Sequence, residues 1–351
     1  MSSLEWQHIA HVSEYIGFGL SLWINSTLIF LIVRKSRKEL GNYRYLMMCF
    51  SFFAIFYSAI DVFVQPTIHI HGTTFMVFQS LETFGVPKTV GAALCALYCS
   101  CYGMTIVLLA VHFVYRYFAV CRTHLLFLFE GWFFMIWPCI VIGFGTDWGL
   151  TSYFLEPETP ASNEYVKETI LEHYALRMDQ IAYVGPHYFM YDKDGKKSYN
   201  VVSCLGILNL MKIIGISFGT VFFCGISTYR KMQSQSSTAT KKTRDLQKQL
   251  FKALVVQTVI PVIFMYIPVS ILFISPFFEL EIGAATSFVA VTLALYPALD
   301  PLAVIYFVRD YRNAVAQWLC TPRKYTQNIG PTPVSESTGG LTRQQTADNH
   351  I

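Results

Sequence analysis

Charge is what this sequence has least of. Asp, Glu, Lys and Arg make up 14% of its 351 residues, while hydrophobic residues make up 54%. A soluble domain carries about 25% charged residues. With a mean hydropathy of +0.42, this composition excludes an ordinary soluble domain and points to an integral membrane protein built of helices. Catalytic patterns are missing too. There is no Walker loop, no HExxH and no nucleophile elbow, so no enzyme is expected. His69-Ile70-His71 lacks a nearby acid or cysteine to complete a metal site, and no metal, cofactor or nucleic-acid partner is expected. No lysine lies in the last apolar segment to carry a retinal Schiff base. The first ten residues lack the basic stretch of a cleaved signal peptide, so the first span is expected to be its own signal. The one sequon, Asn25-Ser26-Thr27, lies inside that span, out of reach of glycosylation. The nine cysteines fall mostly in apolar stretches, where they read as packing residues, and none lies in the long loop at 154–200. Cys95 or Cys99 with Cys204 is a candidate disulfide, because all three lie in the outer parts of their spans.

What is there is a set of apolar runs. Residues 90–115 contain no Asp, Glu, Lys or Arg, which is enough to cross a bilayer with tilt. Other runs cover about 9–33, 43–64, 132–153, 201–229, 250–277 and 283–308, making the 90–122 stretch the third of seven. Prolines 138, 261, 268, 297 and 301 fall inside spans, where they kink helices. The expected fold is an all-α polytopic bundle over residues 1–320. Residues 321–351, rich in Ser, Thr, Gly, Pro and Gln, are expected to be a disordered cytoplasmic tail.

Basic residues sort to one side. Arg34, Lys35, Arg37, Lys38 and Arg44 follow span one. Arg230, Lys231, Lys241, Lys242, Arg244, Lys248 and Lys252 lie between spans five and six, and Arg309 and Arg312 follow span seven. The loop at 154–200 is instead rich in acids. The positive-inside rule therefore sets the N-terminus outside and the C-terminus in the cytoplasm. In the outer loop, Val166, Ile170, Tyr174 and Met178 recur every fourth residue and predict a short amphipathic helix. Beyond it, Tyr188 to Tyr191 and Lys196 to Val202 flank Asp194-Gly195 and predict a hairpin. Helix and hairpin are expected to form an extracellular lid. After span seven, Tyr311, Val315, Trp318 and Leu319 predict a short amphipathic eighth helix at the interface, ending on Cys320, a candidate palmitoylation site whose alternative is an unmodified thiol.

Three constellations carry chemistry. Arg116, between Tyr115 and Tyr117 at the inner end of span three, has no acid beside it in sequence. It is expected at the inner rim, either as an interface anchor or as a latch that turns out to hold a cytoplasmic partner. Asp300-Pro301, an ionisable group beside a kink, is expected to face the bundle. Asp61, Asp147 and Lys212 lie in the outer parts of their spans. Lys212 either enters the bundle with a partner or snorkels to the outer surface. Tyr98 and Tyr102, one turn apart, with Lys212, Phe264, Phe273, Thr286 and Thr292, are candidates to line a ligand pocket. Simple packing is the alternative.

Several segments together resemble the nematode seven-transmembrane chemoreceptors of the Str class: Glu39 to Met47, His112 to Val120, Gln249 to Thr258 with Ile260-Pro261, Tyr296-Pro297 to Asp300-Pro301, and Arg309-Asp310-Tyr311-Arg312. The resemblance runs to about Pro322. It implies a G-protein-coupled olfactory receptor in the ciliary membrane of a sensory neuron, with a small volatile odorant and a heterotrimeric G protein as partners. A diacetyl-like ketone is the leading candidate ligand by the same resemblance. Tyr115, Arg116, Tyr117, Asp300 and Pro301 would serve coupling. Compared with rhodopsin-like receptors, Tyr115-Arg116-Tyr117 stands where an acid-Arg-aromatic triplet is usual. Asp300-Pro301 stands where Asn-Pro is usual, and Tyr306 is out of register, so that inactive-state lock does not carry over. Two readings compete: a ligand-gated cation channel of the inverted seven-helix type, which the charge sorting opposes, and a secondary transporter, for which internal repeats are missing.

Overall fold

A computed structural model describes residues 3–36, 40–83, 85–191, 196–234, 241–280 and 285–320. Its helices are α1 (Ser3–Lys35), α2 (Tyr43–Val64), α3 (Lys88–Cys121), α4 (Ile136–Phe154), the short α5 (Pro160–Tyr174), α6 (Val201–Ser234), α7 (Lys241–Pro261), α8 (Ile267–Ile274), α9 (Ala285–Phe307) and α10 (Arg309–Cys320). A π-helical turn, Val262–Tyr266, opens at Pro261 and joins α7 to α8 into one run. Seven of these helical runs are long and apolar enough to cross a membrane. The third is the central one. Its membrane-length window is 78% buried, the largest share of the seven, and it packs against α4 and α6, while α1 lies along α9.

The α1–α9 contact depends on a missing side chain. A Cβ at Gly17 would lie 2.2 Å from the Ala294 carbonyl oxygen, whereas one at Gly19 would meet nothing within 4 Å. Helices in lipid associate by such close backbone approach, since burying apolar surface gains little there. Gly17→Ala is expected to cost roughly 1–3 kcal/mol as overpacking does, lowering the melting temperature of the purified protein and its surface expression. Gly19→Ala should change neither, and equal behaviour of the two would contradict this packing. Nearby, Pro301 has no N–H to offer the carbonyl of Pro297. Asn25, fully buried, donates to that carbonyl at 3.0 Å. The sequon asparagine is therefore a structural clamp across α1 and α9.

A layer of short elements packs on the end of the bundle away from the basic residues. Strands β1 (Thr67–His71), β2 (Thr74–Ser80) and β3 (Ile181–Val184) form an antiparallel sheet in the order β1-β2-β3. The stretch after span two is thus a hairpin, turned at Gly72 with φ +48°. Val166, Ile170 and Tyr174 of α5 cover one face of the sheet, against Met76, Phe78, Ile181 and Tyr183. Met178 packs there too, but beyond the end of the helix. Strands β4 (Phe189–Tyr191) and β5 (Lys197–Tyr199) form the expected hairpin. Its Asp194-Gly195 lies outside the described residues. Tyr188 donates to the Phe273 carbonyl at 2.9 Å, and Phe75 meets the Phe273 ring at 4.9 Å, which ties the layer to α8. Lys88, at the start of α3, donates to the Met178 carbonyl at 2.7 Å and pairs with Glu158 at 2.6 Å.

Two buried groups give this layer a pH signature. His69 is pushed down to about 4 by burial first and then by His173 and His71. Thr169 donates its hydroxyl proton to Val166, so His69 Nε2 must donate to Thr169 and Nδ1 accept from Tyr174. Only the neutral ring does both. Its stabilisation is whole above pH 6.5, the ordinary value, and is lost as pH falls toward about 4. Glu156, pushed up to about 8 by burial, has an Oε1 with no partner among the described residues. Its neutral form is favoured, so its contribution is whole below 4.5 and is lost as pH rises through about 8. Between 4.5 and 6.5 the two slopes oppose one another. Hydrogen-exchange protection in residues 154–191, relative to the intrinsic rate at each pH, should be greatest in that window. From pH 6.5 to 8 the segment should lose about 2 kcal/mol of protection. Glu156→Gln should remove that alkaline loss, and an unchanged profile in this variant would contradict the assignment.

Candidate functional site

At the basic end of the bundle, Arg116 is 1% exposed. The sequence reading placed it at the rim; the structure places it inside, between α2, α3 and α7. Its guanidinium carbon lies 3.7 Å from the centre of the Tyr43 ring, and Nη1 donates to Gln247 Oε1 at 2.9 Å. Among the described residues, Nε and Nη2 find no acceptor. A buried donor without a partner costs about 1–3 kcal/mol, so this guanidinium is held in place with unused hydrogen-bonding capacity. Tyr43 is fixed in turn. Its N–H donates to the Tyr115 hydroxyl at 3.1 Å, and its own hydroxyl pairs with His112 Nδ1 at 3.2 Å. The Tyr115 ring meets Phe129 at 4.8 Å, and Phe129 stacks on Trp137 at 4.3 Å. Both lie by the 3-10 turns Thr123–Phe129 and Gly131–Met135 that precede α4. Tyr117 points away from this cluster, toward Phe223 at 5.6 Å. Beside the cluster α10 turns back onto the bundle, with Tyr311 fully buried and its hydroxyl 2.6 Å from Ser36. Trp318 meets Phe30 of α1 at 5.6 Å, and the Cys320 side chain lies outside what is described.

Deeper in the bundle, Asp300 is 1% exposed and accepts from Gln257 Nε2 of α7 at 2.8 Å; among the described residues Oδ1 has no partner. It faces the interior, as its place beside Pro301 led us to expect. From there a run of buried tyrosines climbs toward the far end. Tyr296 neighbours Asp300, Tyr266 and Tyr57. Tyr266 meets Tyr102 at 6.2 Å, and Tyr57 meets Tyr98 at 5.8 Å. The run ends at an acidic pair, Asp61 beside Tyr98 and Glu14 of α1 beside Asp61, both carboxyls buried.

The predicted pocket residues divide. Tyr98, Tyr102, Phe273, Thr286 and Thr292 are all buried. Tyr98 and Tyr102 do not share one set of neighbours, however: Tyr98 turns to α2, while Tyr102 meets Trp148 of α4 at 5.4 Å. Phe264 is 39% exposed on the outer face, because the π turn at Pro261 rotates it out of the bundle. Lys212 is exposed as well and donates to Asn209 Oδ1 at 2.6 Å, with Asn209 in turn donating to Asp147 and Thr151 of α4. Neither enters a pocket. Cys95, Cys99 and Cys204 are unpaired thiols. Cys95 donates to the Ala182 carbonyl of β3, so its sulfur points into the sheet contact instead of toward α6. Glu14, Gln247 and Gln257 were missed by sequence reasoning. Glu14 carried a signal, an acid inside an apolar run; the two glutamines carried none.

Comparison with known proteins agrees with this architecture. Residues 10–316 match the family described as serpentine type 7TM GPCR chemoreceptor Str. The chain is 36% identical to Serpentine receptor class r-10 of Caenorhabditis briggsae over 320 residues, 91% of this chain and 93% of that one. It is 36% identical to Serpentine receptor class r-10 of Caenorhabditis elegans over 91% and 94% of the two chains. G-protein coupled receptor str-33 of Caenorhabditis elegans is 29% identical over 87% and 89%. The fold is similar to squid rhodopsin, with a TM-score of 0.52 and 13% identity over 91% of this chain and 86% of that one. With a seven-span bundle, a buried arginine latched to the sixth span and a family match over nearly the whole membrane region, the chain belongs to the Str family of serpentine seven-transmembrane chemoreceptors.

Proposed function

We propose that this receptor detects a small, neutral, volatile odorant, with a diacetyl-like ketone as the leading candidate, and signals to a heterotrimeric G protein from the ciliary membrane of a sensory neuron. The observation that carries the reading is the buried polar run from Glu14 and Asp61 through the tyrosines to Asp300 and Gln257 of α7, the helix that also carries Gln247, the partner of Arg116. Through α7 it relates a region of hydroxyl donors at one end to the helix that holds the buried cation at the other. Aromatic walls with a few donors suit a compact carbonyl compound. Such a ligand of about six heavy atoms is limited to roughly 1.5 kcal/mol per atom, which puts micromolar affinity near the ceiling. Tyr98 and Tyr102 are the donors, and the layer of α5 and the sheet serves as the lid. Asp300 and Pro301 form the hinge between the two ends, with Tyr115 and Tyr117 flanking the coupling arginine.

The basic residues at the Arg116 end support an orientation with the N-terminus outside. Protease added to intact cells should cut within residues 154–200 and spare the tail; cutting of the tail alone would reverse the orientation and favour an inverted channel. A cyclic-nucleotide or calcium readout in a heterologous cell, across a panel of small ketones, alcohols, acids and peptides, tests the ligand class. Responses only to a charged or peptide ligand would overturn it.

A further inference from the structure

At the basic end, α6 leans on α3 and α7 leans on α9, and between α6 and α7 lies a groove of about 1470 Å³. Its floor is Phe113 of α3, which packs on Gly225. Its walls are Phe222 and Ile226 on α6 and Val255 and Val259 on α7, exposed by 63%, 49%, 41% and 48%. These walls open sideways, on the bilayer face of the bundle. The groove ends on Arg230 of α6 and Arg244, Lys248 and Lys252 of α7, and no Asp or Glu is among its lining residues. Among the described residues none of these four cations forms a salt bridge, and Arg244 Nε is buried without a partner.

We propose that this groove is a binding site for an anionic phospholipid, with an acyl chain against the α6 and α7 walls and the phosphate at the Arg230, Arg244, Lys248 and Lys252 rim. The dimensions agree. From Val259 to Lys248 an α-helix rises about 16 Å, close to the roughly 15 Å half-thickness of a bilayer's hydrocarbon core. The cations thus sit at headgroup depth while the apolar walls span one leaflet. Charge complementarity selects the anion, and juxtamembrane Lys and Arg clusters favour anionic over zwitterionic lipid. A polypeptide arriving from the aqueous side would meet the rim but not the sideways walls, and a free phosphate would leave the walls empty.

The test uses the full-length receptor purified in detergent, with native mass spectrometry counting bound phosphatidylserine against phosphatidylcholine. Wild type should prefer phosphatidylserine by about tenfold or more. Arg230→Gln/Lys248→Gln/Lys252→Gln, all at exposed positions, should abolish the preference. Ile226→Trp, which fills the groove from its exposed wall, should displace the lipid with every charge in place. Arg34→Gln/Lys35→Gln, exposed cations outside the groove, should behave as wild type. A photo-crosslinking residue at Val255 should capture phospholipid in membranes. No preference in wild type, retained preference in the triple variant, retained lipid in Ile226→Trp, equal displacement by soluble glycerophosphoserine, or capture of a polypeptide from position 255 would each overturn the proposal.

Discussion

Arg116→Ala is expected to silence the receptor while leaving it folded and on the cell surface. The residue holds α3 to α7 through one charged hydrogen bond to Gln247 and a stacked contact on Tyr43. Its two unpartnered donors make this buried position costly, so truncation removes an unsatisfied cation along with the contacts. The net change in stability should stay within about 2 kcal/mol. Signalling is a different matter. A guanidinium offers five donors in a rigid fork, and in the proposed latch a movement of α7 would turn that fork to the end of the bundle where a partner would bind. Alanine has nothing to offer there. The partner variant should act in the opposite direction. Gln247→Ala frees the arginine, and losing a hydrogen bond to a charged group, worth about 1.5–3 kcal/mol, should raise basal activity roughly ten- to hundredfold. Normal agonist responses from well-expressed Arg116→Ala, or lowered basal activity in Gln247→Ala, would contradict the latch.

Tyr98→Phe and Tyr102→Phe are expected to weaken the odorant response by roughly two- to tenfold each, the worth of one hydrogen bond. The responses should differ in a way that the two environments dictate. Tyr98 lies by Tyr57 and the Asp61–Glu14 pair, so its loss also disturbs that acidic cluster. Tyr102 lies by Trp148 and Tyr266 on the path to α7, so its loss should reduce the maximal response as well as the sensitivity. Lys212→Gln and Phe264→Leu serve as controls, since both face outward. Unchanged dose-response curves in both tyrosine variants would remove them from the ligand site, and a large effect of Lys212→Gln would restore the pocket role that the structure denies it.

The spans were legible because a bilayer imposes one rule, about twenty apolar residues in a row. Span two was read as 43–64, matching Tyr43–Val64, and the stripe of Val166, Ile170 and Tyr174 announced α5. The true length of α7 was not legible, because polar residues extend it beyond the apolar run, and the 3-10 turn Gly131–Met135 could not be told from the start of span four, because its residues are as apolar as α4. The sheet was half legible. The β4–β5 hairpin carried its turn signal, whereas β1 carries two histidines, the turn into β2 is Thr-rich, and β2 pairs with β3 across roughly a hundred residues of chain. Within the site, sequence named the right charged groups, Arg116, Asp300 and Asp61, but not their partners. Gln247 and Gln257 look like ordinary helix residues until α7 is laid beside α3 and α9. Which face a residue takes was the weakest inference of all, as Lys212 and Phe264 show. A proline followed by a π turn shifts the register of every residue beyond it.

In the proposed function, occupation of the tyrosine-lined bundle drives nucleotide exchange on a G protein. The measurement that tests it most directly is GTPγS loading of purified heterotrimeric G proteins by the full-length receptor in lipid nanodiscs, with and without a small ketone. The expected result is ketone-dependent acceleration that disappears in Arg116→Ala. Ketone-evoked ion current through the receptor alone in a planar bilayer, with no acceleration of exchange, would contradict it.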